Sequence, residues 1–217
     1  FRCGSLARAR TLAEPLGDPV LLTRTALAQA RLFAAIPPEV YARTTVVLTA
    51  DNGTSTEGTS DAFDDRVKGT LYEGGIRVPF VVSGPHVAEP GTTSDALIHL
   101  VDVLPTFAEL AGAAPTAPLD GVSFVAQLLD PSAPGPDFVT TAWEPDDGTL
   151  EWATRDDRYK LIRRPAGSDE LYDLVDDPAE RSDLLDGPID LETFQAYFRL
   201  VGVLAGGVGA PRYEAAR

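Results

Sequence analysis

The hydrophobic pattern predicts alternating helices and strands in the first part of the chain. Apolar residues recur at three- and four-residue steps over 20–35, which is the spacing of an amphipathic helix. The run 44–50 is apolar at nearly every position, which is typical of a buried central strand with parallel neighbours. A second short apolar run covers 78–83. Helical spacing returns over 95–111, where Pro105 predicts a break or kink.

The pattern changes after a linker at 131–136 that is rich in proline, alanine, serine and glycine. Four short segments with strand composition follow, separated by turn residues, and a final helix is predicted over 191–204. The strand segments are 138–143, 150–155, 159–163 and 170–174. We therefore predict the α/β fold class. A partial sheet with flanking helices would cover 1–136, with 1–19 irregular, and a small antiparallel sheet packed by a helix would cover 137–217.

Composition narrows the classes of protein and partner. The chain has 217 residues, of which 44% are hydrophobic, and no apolar run reaches the length of a membrane span, so we expect a soluble protein. A net charge of −15 argues against nucleic acid and anionic membrane surfaces as partners. The single cysteine, Cys3, excludes an internal disulfide. The chain begins at Phe1 and contains no methionine, so we expect a piece of a longer protein. The start of this piece gives no information about a signal peptide or about the compartment of that protein.

The strongest candidate site begins where the apolar run 44–50 ends, at Asp51, Asn52 and Gly53. Asn-Gly is also a common turn signal in hairpins. The following segment, 54–66, is however too polar to pair back on such an apolar strand. In α/β sheets, ligands gather at the carboxyl ends of strands. Because carboxylate and amide oxygens suit Ca²⁺ or Mg²⁺, we interpret Asp51 and Asn52 as candidate metal ligands.

Lys68 is the second candidate. The chain has only two lysines, and Lys68 lies in a loop beside Gly69, Gly74 and Gly75, which would allow the backbone to approach a ligand closely. An ammonium group contacts a sulfate or phosphate oxygen as a point charge. An ordinary solvated surface lysine is the alternative interpretation.

Other polar and aromatic residues are assigned structural roles. Glu73 and Arg77 are expected to pair with each other or to hold the loop. His99 is expected to be a packed or partly exposed residue of its helix, able to contact Asp102 three positions on, and not catalytic. The aromatic residues on the strand pattern are expected in the core of the small sheet: Trp143, Trp152, Tyr159 and Tyr172.

Six segments, in a fixed order, resemble the second half of a sulfatase of the alkaline-phosphatase-like superfamily. They are 49–53, 68–79, 94–112, 120–123, 158–162 and 170–174 with 177–178. The resemblance implies a partial alkaline-phosphatase-like sheet, with Asp51 and Asn52 as ligands of Ca²⁺ (or Mg²⁺). It implies Lys68 as the catalytic residue that binds the sulfate ester. It also implies a formylglycine nucleophile, made from a Cys or Ser in a Cys/Ser-x-Pro-x-Arg motif, which attacks sulfur.

The sequence departs from the sulfatase pattern near its start. Cys3 lacks the proline and arginine of that motif, so no nucleophile is assigned in this chain. The formylglycine is expected in a missing N-terminal part, and the fragment alone is predicted to be inactive. The expected substrate is a sulfate-ester small molecule or carbohydrate. One alternative is a phosphodiester or phosphonate hydrolase of the same superfamily, which Asn52 disfavours because two-metal relatives place histidine there. The other is a truncated, non-catalytic remnant.

Overall fold

A computed structural model describes residues 31, 33–55, 65–145, 148–165 and 168–206. The irregular segment predicted at 1–19 and most of the helix predicted over 20–35 lie outside these residues, as does Cys3. Among the described residues, no helix combines the length and apolar character needed to cross a bilayer.

The first part of the chain contains a two-stranded antiparallel sheet. Helix α1 (Pro38–Tyr41) precedes strand β1 (Val46–Thr49), which pairs with β2 (Phe80–Ser83). The connection between the two strands carries the short helix α2 (Glu73–Ile76). The predicted strands are therefore confirmed.

The predicted parallel, fully buried setting of β1 is wrong for the described part of the chain. Its partner there is antiparallel, and Leu48 is 37% exposed. The physical reason is that valine and threonine favour an extended backbone whichever way the neighbouring strand runs. Continuous apolarity therefore says nothing reliable about the direction of the neighbouring strand.

The helix predicted over 95–111 is shorter than its spacing suggested. A 3₁₀ turn, Leu100–Asp102, leads into α3 (Val103–Leu110), and α4 (Val125–Leu129) follows later in the chain. Pro105 lies in the first turn of α3 and not at a break. An N–H group in the first turn has no intrahelical acceptor, so proline costs no hydrogen bond there.

The second part of the chain forms a four-stranded antiparallel sheet in sequential order. Its strands are β3 (Val139–Trp143), β4 (Glu151–Arg155), β5 (Tyr159–Arg163) and β6 (Glu170–Asp173). The final helix, α5 (Leu191–Ala205), is capped by Asp190, whose side chain accepts a hydrogen bond from the Thr193 N–H at 2.8 Å. The predicted sheet and its packing helix are confirmed.

Strand β5 separates two hydrophobic clusters because its side chains alternate between the faces of the sheet. Leu161 belongs to the cluster that includes Leu200 of α5, and Ile162 belongs to the cluster that includes Leu71 from the loop before α2. The sheet of the second part is thus packed directly against the loop of the first part. The domain boundary predicted at 136/137 stays a prediction.

Candidate active site

The turn after β1 is hydrogen-bonded to the lysine loop through the backbone. Gly53 N–H donates to Gly75 O at 2.8 Å, and Thr54 N–H donates to Gly74 O at 2.9 Å. In the reverse direction, Lys68 N–H donates to Thr54 O at 2.9 Å. Two segments that are separate in sequence are therefore joined by three backbone hydrogen bonds.

Gly53 makes this close approach possible, and Gly75 allows the lysine loop to fold closely on itself. A Cβ atom on Gly53 would lie 2.1 Å from Gly74 O, and one on Gly75 would lie 2.3 Å from Thr70 O and 2.6 Å from Val67 O. Real Cβ atoms do not approach backbone atoms so closely. Gly53 is thus required for the contact between the turn and the loop, and Gly75 for the packing of the loop on its own backbone.

Asp51, Asn52 and Lys68 line one cavity of about 540 Å³. Asp51 and Lys68 are exposed and Asn52 is half-buried. The Asn52 Nδ2 group donates to Gly53 O at 2.8 Å, which leaves the Oδ1 acceptor unused by that bond. The structure therefore brings all three candidate residues to the same cavity.

The donor set is chemically suited to a hard cation but small. Asp51 and Asn52 supply oxygen ligands, which Ca²⁺ and Mg²⁺ prefer. A calcium ion takes roughly 6–8 oxygen ligands. The part of the chain that the structure describes contains no group of three or more His, Cys, Asp or Glu side chains that could hold a metal. Asp51 and Asn52 therefore fit such a site as a part of its ligand set.

Glu73 connects the lysine loop to the four-stranded sheet. Its carboxylate is 4% exposed and lies 3.1 Å from both Arg155 Nη1 and Lys160 Nζ. Lys160 Nζ is also 2.8 Å from Glu180 Oε1, and the other Glu180 oxygen accepts the Glu73 N–H. Burial raises the pKa of Glu180, and the positive charge of Lys160 opposes that rise. Of the two expected roles of Glu73, holding the loop is confirmed, whereas its ion-pair partners among the described residues come from β4 and β5 and not from Arg77.

A further part of the cavity lining was missed by the sequence analysis. His99, Thr141 and Trp143 line the same cavity as Lys68. Trp143 is 41% exposed, so its expected place in the sheet core is wrong, whereas Tyr159 and Tyr172 are buried as expected. The period-two spacing of residues 141 and 143 on an edge strand was the available signal.

Comparison with known proteins identifies the family. The family model described as N-sulphoglucosamine sulphohydrolase, C-terminal, matches residues 58–197. An ulvan-active sulfatase of Formosa agariphila is 33% identical over 156 residues, which cover 56% of this chain and 31% of that protein. Arylsulfatase A of Homo sapiens is 34% identical over 172 residues, which cover 66% of this chain and 34% of that protein. The chain thus spans about a third of the length of these relatives.

Solved structures show the same fold. A 2-O GAG sulfatase superposes with a TM-score of 0.71 at 24% identity, covering 85% of this chain and 40% of that one. A phosphonate monoester hydrolase of Agrobacterium radiobacter gives a TM-score of 0.69 at 20% identity, with coverages of 85% and 39%. At these identities the structures establish the fold alone. Because the family model matches more than half of the sequence, the chain belongs to the sulfatase family, of which it represents the C-terminal part.

Proposed function

We propose that the chain supplies part of the active site of a sulfate ester hydrolase. The observation that carries this proposal is the backbone hydrogen bonding between the turn and the loop, which places Asp51, Asn52 and Lys68 at one cavity. An oxygen pair and a cation at the same cavity can bind a metal ion and a sulfate group side by side.

Lys68 has the central role in the proposed reaction. Its ammonium group would contact the sulfate ester and stabilise the negative charge that develops as the S–O bond to the alcohol breaks. Asp51 and Asn52 would hold Ca²⁺, or Mg²⁺, which when bound polarises the sulfate oxygens as a Lewis acid. The formylglycine that supplies the nucleophile would come from a part of the protein outside this chain.

The paired state of Glu73 supports this role for Lys68. Glu73 lines the same cavity, and a free carboxylate there would attract the Lys68 ammonium and repel an anionic substrate. Its two oxygens are instead held by Arg155 and Lys160. Glu73 therefore does not compete with a ligand for the Lys68 ammonium.

Amine labelling of the 217-residue chain tests the proposal. Lys68 is exposed and the Lys160 side chain is 0% exposed, so an acetylating reagent should modify only Lys68 and the N-terminal amine, as seen by peptide mass spectrometry. We expect an aryl sulfate with Ca²⁺ to slow acetylation of Lys68 but not of the N-terminal amine. D51N should remove the dependence on Ca²⁺. Equal labelling rates with and without the sulfate ester would contradict the proposal.

The same assay separates the two enzyme classes. An aryl phosphonate should protect Lys68 less than an aryl sulfate if the family assignment extends to the reaction. Stronger protection by the phosphonate would favour phosphonate ester hydrolysis instead.

A further inference from the structure

We propose that Glu180 is a positioning residue of the candidate active site, because its carboxylate holds α2, and α2 holds both the turn after β1 and the loop that carries Lys68. This role rests on the proposed function, since Glu180 acts through Lys68 and the candidate metal ligands. Glu180 does not line the cavity. It lies between β6 and α5, 107 positions after Glu73, the first residue of α2.

The helix that Glu180 contacts is too short to be stable alone. Helix α2 has four residues, and two of them, Gly74 and Gly75, are poor helix formers. Its N-cap residue is Tyr72, whose side chain makes no capping hydrogen bond. The position of α2 therefore depends on contacts from other parts of the chain.

Glu180 supplies the cap that the local sequence lacks. One of its carboxylate oxygens accepts a hydrogen bond from the backbone N–H of Glu73. The N–H groups of a first helical turn have no acceptor within the helix, so an acceptor from elsewhere satisfies one of them. The other oxygen makes the 2.8 Å ionic contact with Lys160 of β5. A single carboxylate thus joins α2 to the four-stranded sheet.

The surroundings of Glu180 indicate a specific role for its side chain. The residue is completely buried and has a φ of 56°, a left-handed conformation that no other non-glycine residue adopts in the described part of the chain. A residue with a Cβ atom disfavours this conformation, and a carboxylate disfavours burial unless it is paired. Such features persist only where neighbouring groups hold them. Asp177 does so here, since its backbone oxygen accepts the Glu180 N–H at 3.1 Å and its carboxylate accepts the Ser182 N–H at 2.8 Å.

The backbone of α2 extends this connection to the candidate site. Gly74 O and Gly75 O accept hydrogen bonds from the N–H groups of the two residues that follow Asn52. The second of these residues, Thr54, accepts the Lys68 N–H through its own backbone oxygen. A displacement of α2 would therefore move the candidate metal ligands and Lys68 together.

Substitution of Glu180 leaves the other charges of the cluster paired. The Glu73 carboxylate stays between Arg155 and Lys160, each at 3.1 Å. No buried carboxylate is left without a cation, in contrast to removal of Lys160. We therefore expect Glu180 variants to fold, with their main effect at α2.

Amide hydrogen exchange of the 217-residue chain, resolved by residue with NMR, tests the proposal. Glu180→Met removes the acceptor for the Glu73 N–H at similar side-chain length, and Glu180→Gln keeps an acceptor but loses the charge. In E180M we expect the Gly53, Thr54 and Lys68 amides to exchange at least about tenfold faster than in wild type. E180Q should give a smaller increase, because hydrogen bonds to charged acceptors are the stronger ones. Amides within β5 should change by less than about twofold.

Two controls separate positioning from a general loss of stability. Leu200→Ala removes a core side chain from the cluster on the other face of the sheet, so it should affect the β5 amides at least as strongly as the loop amides. Glu192→Gln makes the same chemical change as E180Q at a carboxylate that accepts from Arg158 and Tyr159. It should leave the loop amides unchanged.

Protection of Lys68 from acetylation gives the functional measurement. In wild type, an aryl sulfate with Ca²⁺ should slow this labelling. At the same ligand concentration, and at a temperature where every variant is folded, the protection should be lost in E180M and partly retained in E180Q. L200A and E192Q should keep the wild-type protection, which a general loss of stability would not predict for L200A.

The outcomes separate this role of Glu180 from the proposed function. If no aryl sulfate protects Lys68 in wild type while E180M selectively speeds exchange of the loop amides, the proposed function fails and Glu180 still positions the loop. If the sulfate protects Lys68 equally in wild type and E180M and exchange is unchanged, the positioning role is refuted and the sulfate site stands. The same pattern of exchange in L200A as in E180M would also refute it. Should E180M not fold, E180Q against L200A decides, and the absence of a selective increase in E180Q overturns the proposal.

Discussion

Lys160→Met gives the most demanding test of the buried ion network. Lys160 is completely buried; its Nζ donates to Glu73 Oε1 at 3.1 Å and makes an ionic contact of 2.8 Å with Glu180 Oε1. Methionine keeps most of the side-chain volume but leaves two carboxylates without this cation. Removing one partner of a buried ion pair costs about 3–5 kcal/mol. We expect a loss of that order in the free energy of unfolding.

The chain supplies its own matched control. Lys68→Met makes the same chemical change and the same change in net charge, but at an exposed position. A surface substitution of this kind should change stability by no more than about 0.5 kcal/mol. Urea unfolding of wild type, K160M and K68M, followed by circular dichroism, measures the difference. Equal midpoints for the two variants would refute the buried network.

The stability deficit of K160M, which is its loss in free energy of unfolding relative to wild type, should depend on pH because of Glu180. Burial already raises the pKa of this carboxyl, and loss of Lys160 removes the interaction that opposes the rise. A carboxyl with a raised folded-state pKa favours the folded protein when protonated, and that advantage is lost as pH rises through the folded pKa. The deficit of K160M should therefore be smaller at about pH 5 than at about pH 8, given an unperturbed Glu pKa near 4.3. In K160M/E180Q the deficit should shrink at pH 8, because one buried carboxylate is gone.

Three further predictions concern the backbone contact, acid stability and turnover. Gly53→Ala should destabilise the chain by about 1–3 kcal/mol because its Cβ meets Gly74 O. Gly202→Ala in α5, with nothing within 4 Å, should stabilise it by about 0.5–1 kcal/mol in the same urea assay; a similar sign for both would contradict the steric argument. The Arg158 hydrogen bond lowers the pKa of Asp173 below its unfolded value of about 3.9. The resulting stabilisation of the fold is present above that pH and is lost as the pH falls through the folded-state pKa. Urea midpoints of wild type and D173N should therefore converge between pH 7 and pH 2; a constant gap would argue against it. The isolated chain should not hydrolyse a chromogenic aryl sulfate, and clear metal-dependent hydrolysis would show that its own residues suffice.

Local patterns were enough for most of the fold. Strands β3 to β6 and helix α5 were predicted to within one or two residues, because alternation, helical spacing and turn residues act over short stretches of chain. The errors share a different origin. The direction of the partner of β1, the place of Pro105 in the first turn of α3 and the exposure of Trp143 each depend on neighbours that lie elsewhere in the sequence.

The same distinction applies to the candidate site, where the residue types were predictable from the sequence but their bonding partners were not. Asp51, Asn52 and Lys68 were found from their chemistry and local setting, whereas the bonds that bring them together run between backbone groups that any residue carries. The partners of Glu73 come from β4 and β5, and Lys160 is 87 positions away from it. The position of the loop that holds Lys68 therefore depends on cations of the C-terminal sheet. We therefore expect K160M to shift the position of Lys68, although Lys160 itself does not line the cavity.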